Sequence, residues 1–168
     1  MAGERLKRSA PARPQAVGEL RREIARYAEH IGASSTARDA MALAVSEALT
    51  NVVVHAYADQ EPGPMLLEAW DDGEGHLLVL ICDEGKGMVP RTDSPGMGVG
   101  MPLIAQMADD VHVASRGKLG GTKVAMRFSL DGSGVNLPAE EVPTQPGSRP
   151  TSAQALHVPQ YPAGGVTS

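Results

Sequence analysis

Apolar and polar positions alternate with different spacings along the chain, and each spacing predicts an element. Apolar residues return every three or four positions over residues 14–31 and 36–57, which is typical of amphipathic helices. Alternating or continuous apolar stretches predict strands over residues 65–71, 76–83, 110–115 and 122–130. The stretch Leu77–Cys82 is apolar throughout, which predicts a strand buried on both faces. The predicted order is helix, helix, hairpin, glycine-rich loop, short helix, hairpin.

The second helix carries three polar side chains at four-residue steps. Glu47, Asn51 and His55 would share one face of a continuous α-helix. A carboxylate can accept a proton from a nucleophile, and an amide oxygen suits Mg²⁺, which leans on substrate phosphates. A solvated polar stripe would give the same pattern, and His55 taken alone is better explained as structural.

An aspartate follows the apolar strand, and two glycines follow the aspartate. Asp83 stands at the predicted strand end, where its carboxylate could accept a hydrogen bond from an exocyclic amine such as that of adenine. Gly85 and Gly87 allow a close approach of the backbone. An ordinary Asp-x-Gly turn explains these residues equally well in isolation.

A second glycine cluster looks like a dinucleotide fingerprint but departs from it. Gly96, Gly98 and Gly100 are followed by Met101 where the third glycine of that motif would stand, and no strand precedes them. The glycines run instead into a helix with Pro102 in its first turn. Amides at a helix start favour phosphate, whereas a flexible connector would use the same glycines.

The last glycines lie between the two final strands. Gly117, Gly120 and Gly121 separate the strands of the second hairpin, and Thr122 opens the last one. The Thr122 hydroxyl could reach a site at the strand end. The alternative is that Thr122 is an ordinary β-branched strand residue.

Taken in this order, the motifs resemble the ATP-binding domain of the GHKL superfamily, which includes gyrase, heat-shock chaperones, histidine kinases and MutL. They are most similar to anti-sigma-factor serine/threonine kinases of the RsbW/SpoIIAB type. The closest stretch is residues 44–57, AVSEALTNVVVHAY, and the resemblance runs from about Pro14 to Leu130. It implies an α/β two-layer sandwich of the Bergerat type. In this fold a mixed, mainly antiparallel sheet carries helices on one face, with the nucleotide between the layers.

The resemblance also implies roles for single residues. Glu47 would be the catalytic general base, Asn51 the Mg²⁺ ligand, and Asp83 the partner of the adenine amino group. Thr122 would support Asp83, and glycines 96 to 100 would close a lid over the phosphates. The further nucleotide-binding residues that it implies are His55, Gly85, Gly87, Met88, Arg91, Gly96, Gly98, Val99 and Gly100.

The implied function is that of an ATP- and Mg²⁺-dependent protein serine/threonine kinase, a transferase. As an anti-sigma factor in transcription regulation, it would phosphorylate a small antagonist protein and sequester a sigma factor. The resemblance also allows a homodimer. The segment between Met88 and Gly96 is shorter than many family lids, contains two prolines, and offers Arg91 as its nearest cation. Phosphoryl transfer depends on positioning and charge stabilisation, so a nucleotide-gated binding module with little or no transfer is the alternative.

A histidine kinase fragment is a third hypothesis. It is disfavoured because one predicted helix precedes the helix of Glu47, so a phosphoacceptor helical hairpin does not fit.

Length and composition place these motifs in one small domain. Residues 1–13 are predicted to be a flexible arm, 14–130 the histidine-kinase-like ATPase domain, and 131–168, rich in Pro, Gly, Ser and Thr, a disordered tail. The net charge of −5 argues against nucleic acid as a main ligand, and no apolar run reaches membrane-spanning length. The single cysteine, Cys82, is predicted to be buried and fits a reducing compartment, so a cytoplasmic location is expected.

Overall fold

The computed structural model describes residues 5–86, 100–117 and 120–135. Its helices are α1 (Pro14–His30), α2 (Ser35–Asn51) and α3 (Gly100–Met107), and a turn of π-helix, Val52–Ala56, extends α2. Its strands are β1 (Leu6–Pro11), β2 (Pro64–Asp71), β3 (His76–Asp83), β4 (Asp110–Ser115) and β5 (Thr122–Ser129). Within these ranges, no helix has both the length and the apolar character needed to cross a bilayer.

The strands form one five-stranded sheet in the order β1-β2-β3-β5-β4. Helix α2 packs against α1 and α3 and also contacts β3 and β5, so the helices form a layer over the sheet. The predicted two-layer α/β sandwich is therefore confirmed. All four pairings between the described strands are antiparallel, which makes this part of the sheet antiparallel throughout rather than mixed.

The core lies between the sheet and α2. Alternate side chains of β2, β3 and β5 point towards the helices, where they meet the apolar face of α2. The largest fully buried side chains are Ile24, Met41, Leu49, Met65, Leu67, Leu77, Ile81, Ile104, Met126, Val45 and Val79. Each of them contributes about 1.5–3 kcal/mol by leaving water. Ser34 caps α2 by accepting a hydrogen bond from the Ala37 amide at 3.1 Å.

The prediction that β3 is buried on both faces is wrong. Its side chains alternate between buried and half-buried, because the helices cover one face of the sheet. Leu78, Leu80 and Cys82 lie on the other face. On this face the cross-strand neighbours Leu66, opposite Cys82, and Ala125, opposite Leu80, are themselves only half-buried. Cys82 is accordingly half-buried rather than fully buried, and burial raises the pKa of its thiol.

The predicted flexible arm over residues 1–13 is wrong for the part that forms β1. This strand pairs along its length with β2, from Leu6 opposite Ala69 to Pro11 opposite Pro64. Leu6 is its one fully buried residue, so no apolar alternation marked the strand in the sequence. Its basic side chains find acidic partners instead of water alone, as in the Lys7–Glu68 ion pair at 2.6 Å.

The predicted disordered tail begins too early at residue 131. Residues 131–135 form a turn in which Asp131 accepts a hydrogen bond from the Ser133 amide at 2.9 Å, and Val135 packs against the core. The Ser34 amide donates to the Leu130 carbonyl at 2.8 Å, which holds the start of this turn beside α2. The rest of the predicted tail lies outside the described residues.

Candidate functional site

The helix that carries the candidate catalytic residues changes its pitch where the site begins. Glu47 and Asn51 are half-buried near the end of α2, and His55 is exposed in the π-turn. The prediction of an α-helix continuing to residue 57 is therefore wrong after Asn51. The polar stripe that the four-residue spacing predicted does not continue unchanged to His55, because a π-turn holds more residues than an α-turn. Such single π-turns occur frequently at functional sites.

The turn after β3 is seated against the end of the π-turn. Asp83 is only 3% exposed, and its Oδ1 accepts a hydrogen bond from the Gly85 amide at 2.9 Å. The Lys86 amide donates to the Ala56 carbonyl at 2.8 Å. A Cβ on Gly85 would lie 2.0 Å from the Ala56 carbonyl oxygen, so no larger residue fits without a backbone shift. The predicted close approach at Gly85 is confirmed.

The β4–β5 hairpin closes on the same turn from the other side. Gly121 has φ +88°, and a Cβ there would lie 2.0 Å from the Asp83 carbonyl oxygen. Thr122 follows and is 3% exposed. It lies beside the end of β3, because Lys123 pairs with Cys82. Asp83, Gly85 and Thr122 therefore meet at one end of the sheet, next to the continuation of α2.

Two residues at this place carried no role in the sequence predictions. The Tyr57 hydroxyl donates to the Pro64 carbonyl at 2.6 Å and accepts from the Glu84 amide at 2.9 Å. The Arg116 guanidinium donates to the Asp83 carbonyl at 2.9 Å. Tyr57 ends the stretch with the closest family resemblance, which was a signal for it, whereas Arg116 directly precedes the glycines of the second hairpin and had no signal of its own.

The same neighbours set the electrostatics of the turn. Burial raises the pKa of Tyr57 above its ordinary value, against the opposing effect of the Glu84 amide, and the Asp83 carboxylate raises it further. Arg116 also lies 3.8 Å from a Glu84 carboxylate oxygen. The Tyr57 hydroxyl is therefore protonated at neutral pH, as its donation to Pro64 requires.

Some of the predicted site residues cannot be placed. Those that lie outside the described residues are Gly87, Met88, Arg91, Gly96, Gly98 and Val99. Gly100 is the first residue of α3, and Pro102 lies in the first turn as predicted. Helix α3 packs against α2, so the end of the glycine-rich segment lies beside the helix of Glu47 and Asn51.

The donor set for a metal ion is small. In the part of the chain that the structure describes, no three His, Cys, Asp or Glu side chains are grouped as metal ligands. Mg²⁺ in general keeps several waters and is bound mainly through substrate phosphates and one or two protein oxygens. The amide oxygen of Asn51, half-buried at the end of α2, is the candidate protein ligand.

The chain is similar to known proteins both in sequence and in structure. Residues 10–128 match the family of the histidine kinase-like ATPase domain. Serine-protein kinase RsbW from Bacillus subtilis is 29% identical over 146 residues, which are 78% of this chain and 89% of that protein. RsbW from Oceanobacillus iheyensis is 35% identical over 123 residues, 64% of this chain and 77% of the relative. The anti-sigma F factor of Clostridium novyi is 26% identical over 141 residues, 77% of this chain and 97% of the relative.

A solved structure has the same fold. The RsbU and RsbW domains of a Mycobacterium tuberculosis protein superpose with a TM-score of 0.60 at 19% identity. The superposition covers 76% of this chain and 33% of that longer chain. The order of layers described above is thus found in an experimental structure of a similar domain.

Proposed function

The chain belongs to the family of histidine kinase-like ATPase domains, and from this premise we propose that it is an ATP-binding protein serine/threonine kinase that acts as an anti-sigma factor. The observation that carries the proposal is the meeting of Asp83, Gly85 and Thr122 at the end of α2. This is where the family resemblance requires an adenine pocket. The relatives named serine-protein kinase RsbW and anti-sigma F factor, matched over most of their length, support the kinase and anti-sigma assignments.

The proposed base pocket lies at the turn after β3. The Asp83 carboxylate would accept a hydrogen bond from the exocyclic amine of adenine, which guanine lacks at the corresponding position. Gly85 and Gly121 let the backbone segments around Asp83 pack closely, since a Cβ on Gly85 would lie 2.0 Å from the Ala56 carbonyl oxygen and a Cβ on Gly121 would lie 2.0 Å from the Asp83 carbonyl oxygen. Thr122 would support Asp83 from the neighbouring strand. This close packing would hold the turn that carries the Asp83 carboxylate.

The residues proposed to carry out phosphoryl transfer lie on helix α2. When bound, Mg²⁺ would supply positive charge to the phosphate oxygens, and the Asn51 amide oxygen would hold it. Glu47, one helical turn earlier on α2, would accept the proton of the attacking hydroxyl. The two side chains are spaced four residues apart on a rigid helix, so the base and the metal ligand keep a fixed separation.

The remaining nucleotide contacts follow from the family resemblance. The proposed phosphate-binding and lid residues are Gly96, Gly98, Val99 and Gly100, with Arg91 as the nearest cation, Gly87 and Met88 beside the base, and His55 at the π-turn. Amides at the start of α3 would face phosphate.

The proposed partners are a small antagonist protein, phosphorylated on Ser or Thr, and a sigma factor that the kinase sequesters. A homodimer and action in the cytoplasm also belong to this proposal. The relatives' names support an anti-sigma role.

A nucleotide-gated binding module is the second candidate. Seven residues separate Met88 from Gly96, and Pro90 and Pro95 are among them. A short segment with two prolines has few conformations in which Arg91 could reach the transferred phosphate. This module would bind ATP and Mg²⁺ with little or no transfer.

Calorimetric titration tests the proposal. ATP with Mg²⁺ should bind, and ATP without Mg²⁺ should bind much more weakly. GTP should compete poorly, because guanine has an oxygen where adenine has the amine that would donate a hydrogen bond to Asp83. Asn51→Ala should abolish the Mg²⁺ dependence. An Asn51→Ala protein with unchanged affinity would remove the metal assignment, and absence of ATP binding at millimolar concentration would remove the proposal.

Phosphoryl transfer separates the two candidates. The purified protein is incubated with ATP carrying a labelled γ-phosphate and with an antagonist protein that contains a serine. Labelled serine in the antagonist supports the kinase. Nucleotide binding without label supports the binding module.

A further inference from the structure

We propose that Tyr57 is a positioning residue for the base pocket, which it shapes through the backbone of Glu84 rather than through contact with the nucleotide. The inference rests on the proposed function, because it assigns a role within the same site. Tyr57 is 8% exposed and follows the π-turn directly. Both hydrogen bonds of its hydroxyl go to backbone groups at the ends of the central strands.

The Tyr57 hydroxyl takes the place of a backbone hydrogen bond between β2 and β3. Strands β2 and β3 pair in a register that sets Met65 opposite Asp83, so the next pair would be Pro64 opposite Glu84. The hydroxyl donates to the Pro64 carbonyl at 2.6 Å and accepts from the Glu84 amide at 2.9 Å. A further backbone hydrogen bond of the sheet would join the Glu84 amide directly to the Pro64 carbonyl. The Tyr57 hydroxyl joins these two groups instead, with its oxygen between them. The strands are held apart at the point where the chain turns into the pocket.

Three successive backbone amides of the turn, those of residues 84–86, each donate a hydrogen bond. The Glu84 amide donates to Tyr57, the Gly85 amide to the Asp83 carboxylate at 2.9 Å, and the Lys86 amide to the Ala56 carbonyl at 2.8 Å. Two of the three acceptors are adjacent residues at the end of the π-turn. The position of the Asp83 carboxylate is therefore tied to the element that continues α2.

The ring of Tyr57 is held in a fitted space. A Cβ on Gly63 would lie 2.3 Å from the Cε1 atom of the ring, so only glycine lets the ring occupy this place. Arg116 donates a hydrogen bond to the Asp83 carbonyl at 2.9 Å. The backbone of the turn is thus bonded both to a phenol and to a guanidinium, which is an arrangement that preorganises a binding group.

Removal of the Tyr57 hydroxyl should weaken binding of the adenine base and leave binding of the phosphates nearly unchanged. In Tyr57→Phe the ring remains, but the Glu84 amide and the Pro64 carbonyl lose their common partner. The Asp83 carboxylate would lose its fixed position, while Asn51 and Glu47 on α2 would keep theirs. A residue that only stabilised the fold would weaken all ligands alike.

The experiment compares Tyr57→Phe with Tyr27→Phe, a matched control at a half-buried tyrosine of α1. Affinities for ATP and for inorganic tripolyphosphate, each with Mg²⁺, are measured by calorimetry below the melting temperature of every variant. Tyr57→Phe should lose about tenfold in ATP affinity, the effect of one poorly placed hydrogen bond. Its tripolyphosphate affinity should change less than about twofold by the same argument. Tyr27→Phe should change neither affinity.

Each other result overturns the inference. Unchanged ATP affinity in Tyr57→Phe would show that the hydroxyl does not position the pocket. An equal loss for ATP and tripolyphosphate would show a structural role. Failure of the proposed function is seen separately, in the unsubstituted protein, as absence of ATP binding.

Hydrogen exchange of the unsubstituted protein provides the test if Tyr57→Phe does not fold. The Glu84 amide should exchange more slowly than an unprotected amide, and ATP with Mg²⁺ should slow it further while tripolyphosphate does not. Exchange at the unprotected rate, or an equal response to both ligands, would overturn the inference.

Discussion

Single atoms decide the chemistry of the proposed site. Asp83 is buried, and one carboxylate oxygen is committed to the Gly85 amide. Its contribution to a base pocket therefore depends on the rest of the carboxylate and on the turn that orients it. Glu47 stands in a different environment, half-buried on a rigid helix.

Replacement of Asp83 by asparagine separates binding from folding. The amide keeps an oxygen for the Gly85 amide but replaces the other oxygen with a donor, which cannot accept from adenine. ATP affinity should fall by about tenfold to a hundredfold, while the melting temperature changes little. The control is Asp72→Asn, because Asp72 makes similar bonds to the amides of Glu74 and His76 in the β2–β3 turn. A large fall in melting temperature without selective loss of ATP would mean that Asp83 is only a turn residue.

Replacement of Glu47 by glutamine tests the general base. The change preserves size and helix propensity and removes the ability to accept a proton. ATP binding should be retained, and the rate of phosphoryl transfer should fall by about 10²–10⁴-fold. Asp39→Asn, an exposed carboxylate on the same helix, is the matched control. Undiminished transfer in Glu47→Gln would exclude Glu47 as the base.

At the scale of elements, the proposed site lies where three backbone segments approach closely. The π-turn presents the Ala56 carbonyl, the turn after β3 brings Gly85 against it, and the β4–β5 hairpin places Gly121 against Asp83. These contacts need glycine for lack of space at Gly85, and for both space and positive φ at Gly121. The close approach of the three segments therefore requires both these elements and the two glycines.

Substitution of Gly85 by alanine measures that requirement. The added methyl group would overlap the Ala56 carbonyl, so the turn or the π-turn must move. We expect a loss of about 1–3 kcal/mol in the free energy of unfolding, as for overpacked sites, together with weaker ATP binding. Gly18→Ala is the control, because nothing lies within 4 Å of a Cβ at this position of α1. It should stabilise the helix by about 0.5–1 kcal/mol. Equal effects of the two substitutions on urea denaturation would contradict the proposed contact.

At the scale of the whole molecule, the sheet is completed by the N-terminal strand. β1 forms one edge of the sheet, covers β2, and buries Leu6, and Ala12 just beyond it is 4% exposed. At the other end of the described chain, residues 131–135 pack beside α2. The compact unit is thus larger at both ends than residues 14–130.

Two truncations test these ends. Removal of residues 1–12 deletes an edge strand and its buried side chains, so the melting temperature should fall by roughly 10 °C. Removal of residues 136–168 should change it by less than about 2 °C, because we predict that this segment buries little apolar surface. Differential scanning calorimetry measures both. A large fall for the second truncation would mean that the tail docks on the domain.

The sequence by itself determined the elements whose information is local. Periodicity placed α1, β2, β3, β4 and β5 within one or two residues, because side-chain spacing follows directly from helical or strand geometry. The amino-acid sequence of residues 44–57 and the order of the glycine clusters indicated the family. The position of Asp83 at the strand end and the close backbone approach at Gly85 could be predicted, because a strand end followed by glycine has a local signature.

The tertiary structure decided what depends on packing between distant segments. β1 has one buried residue, so its sequence shows no alternation of apolar and polar residues. The strand forms because it pairs with β2. The half-exposed face of β3 reflects a helix layer on one side of the sheet only. The π-turn after Asn51 comes with the Ala56 carbonyl binding Lys86, thirty residues away in the sequence. The hydrogen bonds of Tyr57 and Arg116 arise in the same way, because their partners come from segments brought together only by folding.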